Sequence, residues 1–64
     1  MDRLISKIEV RSLVVYSNAH IARLEAEGLF PKRVRLSVGR VAWLESEIRD
    51  WIADKVAARD ATRS

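Results

Sequence analysis

Apolar positions fall along the chain in groups whose internal spacing changes from one group to the next. Val10, Leu13 and Val14 recur at i, i+3 and i+4, one face of a helix, while Leu4 and Ile5 ahead of them look extended. The run "SKIE", Ser6 to Glu9, has the form of a capping box. The Ser hydroxyl accepts the backbone N–H three residues on and the Glu carboxylate reaches back, so a first helix is predicted from Lys7 to about Leu13. A second is predicted to start at Ser17 as N-cap, with Tyr16 packing on Ile21 as a hydrophobic staple, and to run to Glu27. Gly28 supplies a left-handed residue after it, and Pro31 bars continuation. Only Val14 to Tyr16 separate the two helices, which holds them at a steep angle as in a helix-turn-helix.

Beyond Pro31 the period becomes two. Val34 and Leu36 alternate with Arg33 and Arg35, and after Gly39 the alternation resumes with Val41 and Trp43 inward. This predicts a hairpin over residues 32–43 with its tip at "SVGR", Ser37 to Arg40. Ile48, Trp51, Ile52 and Val56 then mark a third amphipathic helix, Glu45 to about Arg59, supported by the Glu45/Arg49 pair. The tail "DATRS", residues 60–64, is expected to fray. The expected fold is mainly α with a small β-hairpin. It is a winged helix-turn-helix made of a helix-turn-helix at 6–28, a two-stranded wing at 32–43 and a C-terminal helix at 45–59, with Trp43 and Trp51 in the core.

Length makes this a single domain over residues 1–64, since a chain of this size buries only about 60% of the surface its unfolded form exposes. With 48% hydrophobic and 33% charged residues it has the composition of a folded protein, and without Cys it must be held by packing alone. Its longest apolar run, Leu13 to Tyr16, is far short of a membrane span, and "MDRLISK" lacks the apolar stretch of a signal peptide. A cytoplasmic protein without membrane contact is expected.

Net charge is only +3, yet Lys32, Arg33, Arg35 and Arg40 crowd the hairpin, and no acid interrupts them before Glu45. Taken alone, such a run is more often a solvated face. Directly behind a helix-turn-helix it has the chemistry of a wing that neutralises phosphates. Gly39 gives Arg40 the freedom to enter a minor groove. On the second helix, turning Ile21 and Leu24 inward leaves Ala19, Ala22, Arg23 and Ala26 outward, with Asn18 in the first turn and His20 on a flank. Arg pairs with guanine, Asn with adenine and Ala with a thymine methyl, so Asn18, Ala19 and Arg23 are the candidates for base contact. Ser17 and the helix N-terminus suit a phosphate.

The expected partner is therefore double-stranded DNA. The alternative is a protein-interaction module whose basic hairpin meets an acidic surface. An enzyme has little support: there is no Cys, the single His lacks an acid partner, no phosphate loop exists, and neither cofactor, metal nor small-molecule substrate is expected.

The segments "IARLEAEGLFPKRVRL" and "VAWLESEIRDWI", in this order and spacing, resemble the AlpA family of short phage-type regulators, which is related to excisionases and more distantly to MerR-type DNA-binding domains. The likeness extends from "RLISKIEV" through nearly the whole chain. It implies a winged-helix DNA-binding protein of a prophage or mobile element, acting in transcription regulation, as an excisionase (a recombination directionality factor), or both, with an integrase or neighbouring protomers as further partners. By position it implies Ser17, Asn18, His20 and Arg23 on the recognition helix and Arg35, Gly39 and Arg40 on the wing. The family often has Gly in the turn before the recognition helix, where this chain has Val15. A β-branched residue is strained at positive φ, so a turn of different backbone is expected here. His20 stands where a hydroxyl residue is common.

Overall fold

The computed structural model describes residues 2–63, with side-chain burial for 2–61. The order is β1 (Leu4–Ile5), α1 (Lys7–Val14), α2 (Asn18–Ala26), β2 (Val34–Ser37), β3 (Arg40–Leu44) and α3 (Glu45–Arg63). These are the helix-turn-helix, hairpin and final helix that the periodicities predict.

Ser6 caps α1 by accepting the Glu9 N–H at 3.3 Å, but the return half of the capping box is replaced. The Glu9 carboxylate binds Arg3 instead, at 3.2 Å. Ser17 caps α2 by accepting the His20 N–H at 3.2 Å. At the other end of α2, Leu29 N–H reaches Leu24 O at 2.8 Å and Gly28 N–H reaches Glu25 O at 3.1 Å. This is a Schellman motif, with Gly28 left-handed at φ 74°.

The connection between α1 and α2 keeps a left-handed residue, contrary to the different turn expected. Val15 sits at φ 61°, ψ 25°, and its N–H closes the end of α1 on Arg11 O. Its side chain is 85% exposed, so no packing offsets the strain of a β-branched residue in that region.

The wing gains a third strand. β1 pairs antiparallel with β3 through Leu4↔Leu44 and Ile5↔Trp43, making a sheet of order β1-β3-β2. β3 is thus central, and both Ala42 and Trp43 are buried, one on each face. On the other side β2 pairs with β3 through Val34↔Ala42, Arg35↔Val41 and Ser37↔Arg40, with an irregularity between Arg35 and Ser37 that leaves Leu36 over.

Residues directly opposite share a face. The expected inward set of Val34, Leu36, Val41 and Trp43 is therefore corrected: Val34 joins Ala42, Arg35 joins Val41 on the Trp43 face, and the bulged Leu36 is exposed. The basic residues divide accordingly, Arg35 on the Trp43 face and Arg40 on the other.

Ile5, Val10, Ile21, Phe30, Trp43 and Ile48 form the core, with Val14, Tyr16, Leu24, Val41, Trp51 and Ile52 packed around it. Both indoles fasten the link between α2 and the hairpin. Trp51 Nε1–H donates to Leu29 O at 2.8 Å and Trp43 Nε1–H to Pro31 O at 3.1 Å. Phe30, between Leu29 and Pro31 in sequence, meets Trp51 edge-on at 5.0 Å.

α3 departs from its expected end. It continues through residues 60–63, where a frayed tail was expected, and Ser64 lies outside the described residues. Val56, expected on the buried face, is exposed. No described helix is long and apolar enough to cross a membrane.

Candidate nucleic-acid interface

The packing of α2 settles which of its faces is open. Ile21 is buried and Leu24 half-buried, which leaves Ala19, Ala22, Arg23 and Ala26 exposed in one stripe. Three of these are alanines, so the helix backbone can approach a surface closely. Arg23 is the long side chain among them, and it has no ion-pair partner among the described residues.

Asn18 and Ala19 open the helix and are exposed, beside Ser17. The Ser17 hydroxyl accepts the His20 N–H, which leaves its own proton free to donate outward. The first turn of α2 carries no acidic residue, whereas α1 has Glu9 and α3 has Glu45 and Glu47 there. The positive end of α2 is thus left open to an anion. His20 is less available than its neighbours: half-buried, its ring lies 4.3 Å from that of Tyr16, which in turn meets Trp51 edge-on.

Lys32, Arg35 and Arg40 are exposed and without ion-pair partners among the described residues. Gly39, at φ 76°, takes the second turn position between the strands, where a left-handed residue is needed. Val38 beside it is fully exposed, so the tip is open on all sides.

Arg33 differs. Its Nε donates to Glu25 Oε1 at 2.8 Å, its Nη2 to the same oxygen, and its backbone N–H to Oε2 at 2.8 Å. Its Cζ lies 5.0 Å from the centre of the Trp43 ring.

Arg11 is a residue that sequence reasoning passed over. It is exposed, has no ion-pair partner among the described residues, and lines an open concavity of about 550 Å³ with Ser12, Val15, Tyr16 and Ser17. The signal was its place outside the Val10/Leu13/Val14 stripe of α1, on the side that leads to the α2 cap.

Apart from Arg33 and Glu25, the paired charges lie elsewhere. Arg3 binds Glu45 at 2.8 Å and Glu9 at 3.2 Å, and Arg49 reaches Glu45 at 3.2 Å, the expected pair of α3. The hydrogen bond from Arg3 is the main cause that holds the Glu45 carboxyl below its ordinary range, against an opposing desolvation. The same bond raises Arg3.

Residues 3–56 match the family described as prophage CP4-57 regulatory protein (AlpA). Over 58 residues the chain is 38% identical to an uncharacterized protein, ORF88, of Enterobacteria phage P4. That alignment covers 91% of this chain and 66% of the relative, a little under two thirds of its length. No solved structure matches.

Proposed function

The chain belongs to the AlpA family of prophage regulatory proteins, and we propose that it acts as a sequence-specific double-stranded DNA-binding regulator. In this reading the open face of α2 enters the major groove. Asn18, Ala19 and Arg23 read base edges, with His20 at the margin, while Ser17 and the N-terminus of α2 hold a phosphate. Lys32, Arg35, Gly39 and Arg40 of the hairpin follow the backbone and the minor groove, and Arg11 adds a contact from α1.

The observation that carries the reading is how the basic side chains divide. Those on α2 and the hairpin, Arg33 apart, have no ion-pair partners among the described residues, while Arg3, Arg33, Arg49 and Arg59 are paired. Unpaired basic side chains along α2 and the hairpin, together with a first turn of α2 that carries no acid, suit a polyanion.

Regulation by occupying an operator and assistance to excision both require such a domain. We place the chain in the regulatory role with a recombination directionality role as its extension, in which an integrase or neighbouring protomers share the DNA. The test is selection of bound duplexes from a random pool, followed by a gel shift of the recovered duplex at moderate salt. Saturable binding that survives competitor DNA supports the proposal; no shift at micromolar protein contradicts it.

A second reading, a protein-interaction module built on the hairpin, is favoured by one feature. Exposed Leu4, Ile8 and Leu36 line a concavity rimmed by Lys7 and Arg40. The same gel shift separates the two, because that reading requires no duplex binding.

A further inference from the structure

By sequence Arg33 is one of the basic residues of the hairpin; by its contacts it is paired where Lys32, Arg35 and Arg40 are not. We infer that Arg33 is a positioning residue, locking the recognition helix to the hairpin through Glu25 and Trp43, and that it does not contact phosphate. The inference rests on the DNA-binding reading for its functional consequence and on geometry for its cause.

Glu25 lies on α2, and its side chain is 11% exposed against 34% for Arg33. The carboxylate accepts the Arg33 Nε–H, its Nη2–H and its backbone N–H. Two side-chain donors of the guanidinium thus converge on one carboxylate oxygen, an arrangement that a single ammonium cannot reproduce. The Trp43 ring lies 5.0 Å from its Cζ, within cation–π range. Trp43 then donates to Pro31 O, so a circuit closes from α2 through Arg33 and β3 back to the link between them.

Among the described residues this is the ion pair that joins α2 to the hairpin. Between Glu25 and Arg33 the backbone turns at left-handed Gly28, which has nothing within 4 Å of where a Cβ would stand. The indole bonds to Leu29 O and Pro31 O hold this link along its backbone. The clamp adds a direct tie from α2 to the hairpin, and a DNA-binding protein needs it: base contacts from α2 and phosphate contacts from the hairpin must fall in register at the same time. Two of the five guanidinium N–H donors are engaged and the Glu25 carboxylate offsets the charge, so Arg33 offers a phosphate less than an unpaired arginine does.

The test compares Arg33→Gln, Glu25→Gln, the double variant and Arg35→Gln. Binding to the selected duplex and to a random duplex is measured across a salt series, and the orientation of α2 relative to the hairpin is read from residual dipolar couplings of the free protein. Arg35→Gln is expected to lower the salt slope by about 0.9, the loss of one phosphate contact.

Arg33→Gln and Glu25→Gln are each expected to leave the slope unchanged, to weaken selected-duplex binding about tenfold, and to shift the orientation of α2. The double variant should be no worse than either single one. A slope reduced by Arg33→Gln as by Arg35→Gln, together with tighter binding for Glu25→Gln, would overturn the assignment. So would an unchanged orientation in both single variants. If wild type binds no duplex, the DNA reading falls, and the couplings alone decide the clamp. If Arg33→Gln does not fold, Arg33→Lys takes its place, keeping the charge but losing the Nε and Nη2 donors.

Discussion

Val15 carries a backbone conformation that its own side chain opposes. At φ 61° and 85% exposure it holds the turn between α1 and α2 at a steric cost and buries little in return. Left-handed backbone costs an L residue about 1–2 kcal/mol, and glycine's greater freedom when unfolded offsets part of that. Val15→Gly is therefore expected to stabilise the fold by about 1 kcal/mol, raising the melting temperature by about 4–8 °C in thermal unfolding. The sequence showed which residue stood at the turn but not that the turn would keep its geometry against that residue's preference, because the demand comes from the packing of two helices on one core.

Glu45 gives the pH dependence at the same scale. Its folded pKa is lowered, chiefly by the hydrogen bond from Arg3, so its contribution is present above the unfolded carboxylate pKa and is lost as pH falls through the folded one. The stability gap between wild type and Arg3→Gln should be widest near neutral pH and close in acid, as thermal unfolding over a pH series would read. A gap that stays constant with pH would mean that Arg3 acts through packing.

Among the elements, those with a regular apolar stripe were legible. α1, α2 and the start of α3 followed Val10/Leu13/Val14, Ile21/Leu24 and Ile48/Trp51/Ile52, and the C-terminal stop of α2 followed from Gly28 and Pro31. Since Gly28 is left-handed with open space around it, Gly28→Ala costs backbone conformation only. A loss of about 1 kcal/mol is expected in denaturant unfolding, without a change of slope.

β1 was legible only as an extended stretch. Two residues show no alternation, and their pairing with β3 depends on a partner far along the chain. The hairpin's inward set failed because the strict alternation read across it assumed neither a bulge at Leu36 nor a central strand covered on both faces. α3 outran its last buried residue because helix propagates through good helix formers such as Ala57, Ala58 and Arg59 once started. Residues 53–61 are all exposed, so a chain ending at Ala57 should melt with a stability change within about 0.5 kcal/mol.

At the scale of the molecule, what matters is where charge is spent internally and where it is left over. A net charge of +3 says little, but Arg3, Arg33, Arg49 and Arg59 have ion-pair partners, while Arg11, Arg23, Lys32, Arg35 and Arg40, and outside the interface Lys7 and Lys55, have none among the described residues. The sequence showed the basic crowding of the hairpin. It did not show that Arg33 belongs to Glu25, eight residues back across a turn, since that pairing exists only once α2 and the hairpin have docked. Under the proposed function, α2 supplies choice and the hairpin supplies grip.

Equilibrium binding of wild type, Arg23→Ala and Arg40→Ala to a selected and a random duplex over a salt series tests that division most directly. Arg23→Ala should lose about 1–3 kcal/mol on the selected duplex and little on the random one, while Arg40→Ala weakens both and lowers the salt slope by about 1. Equal losses for Arg23→Ala on every sequence, or a wild type that does not tell the two duplexes apart, would contradict it.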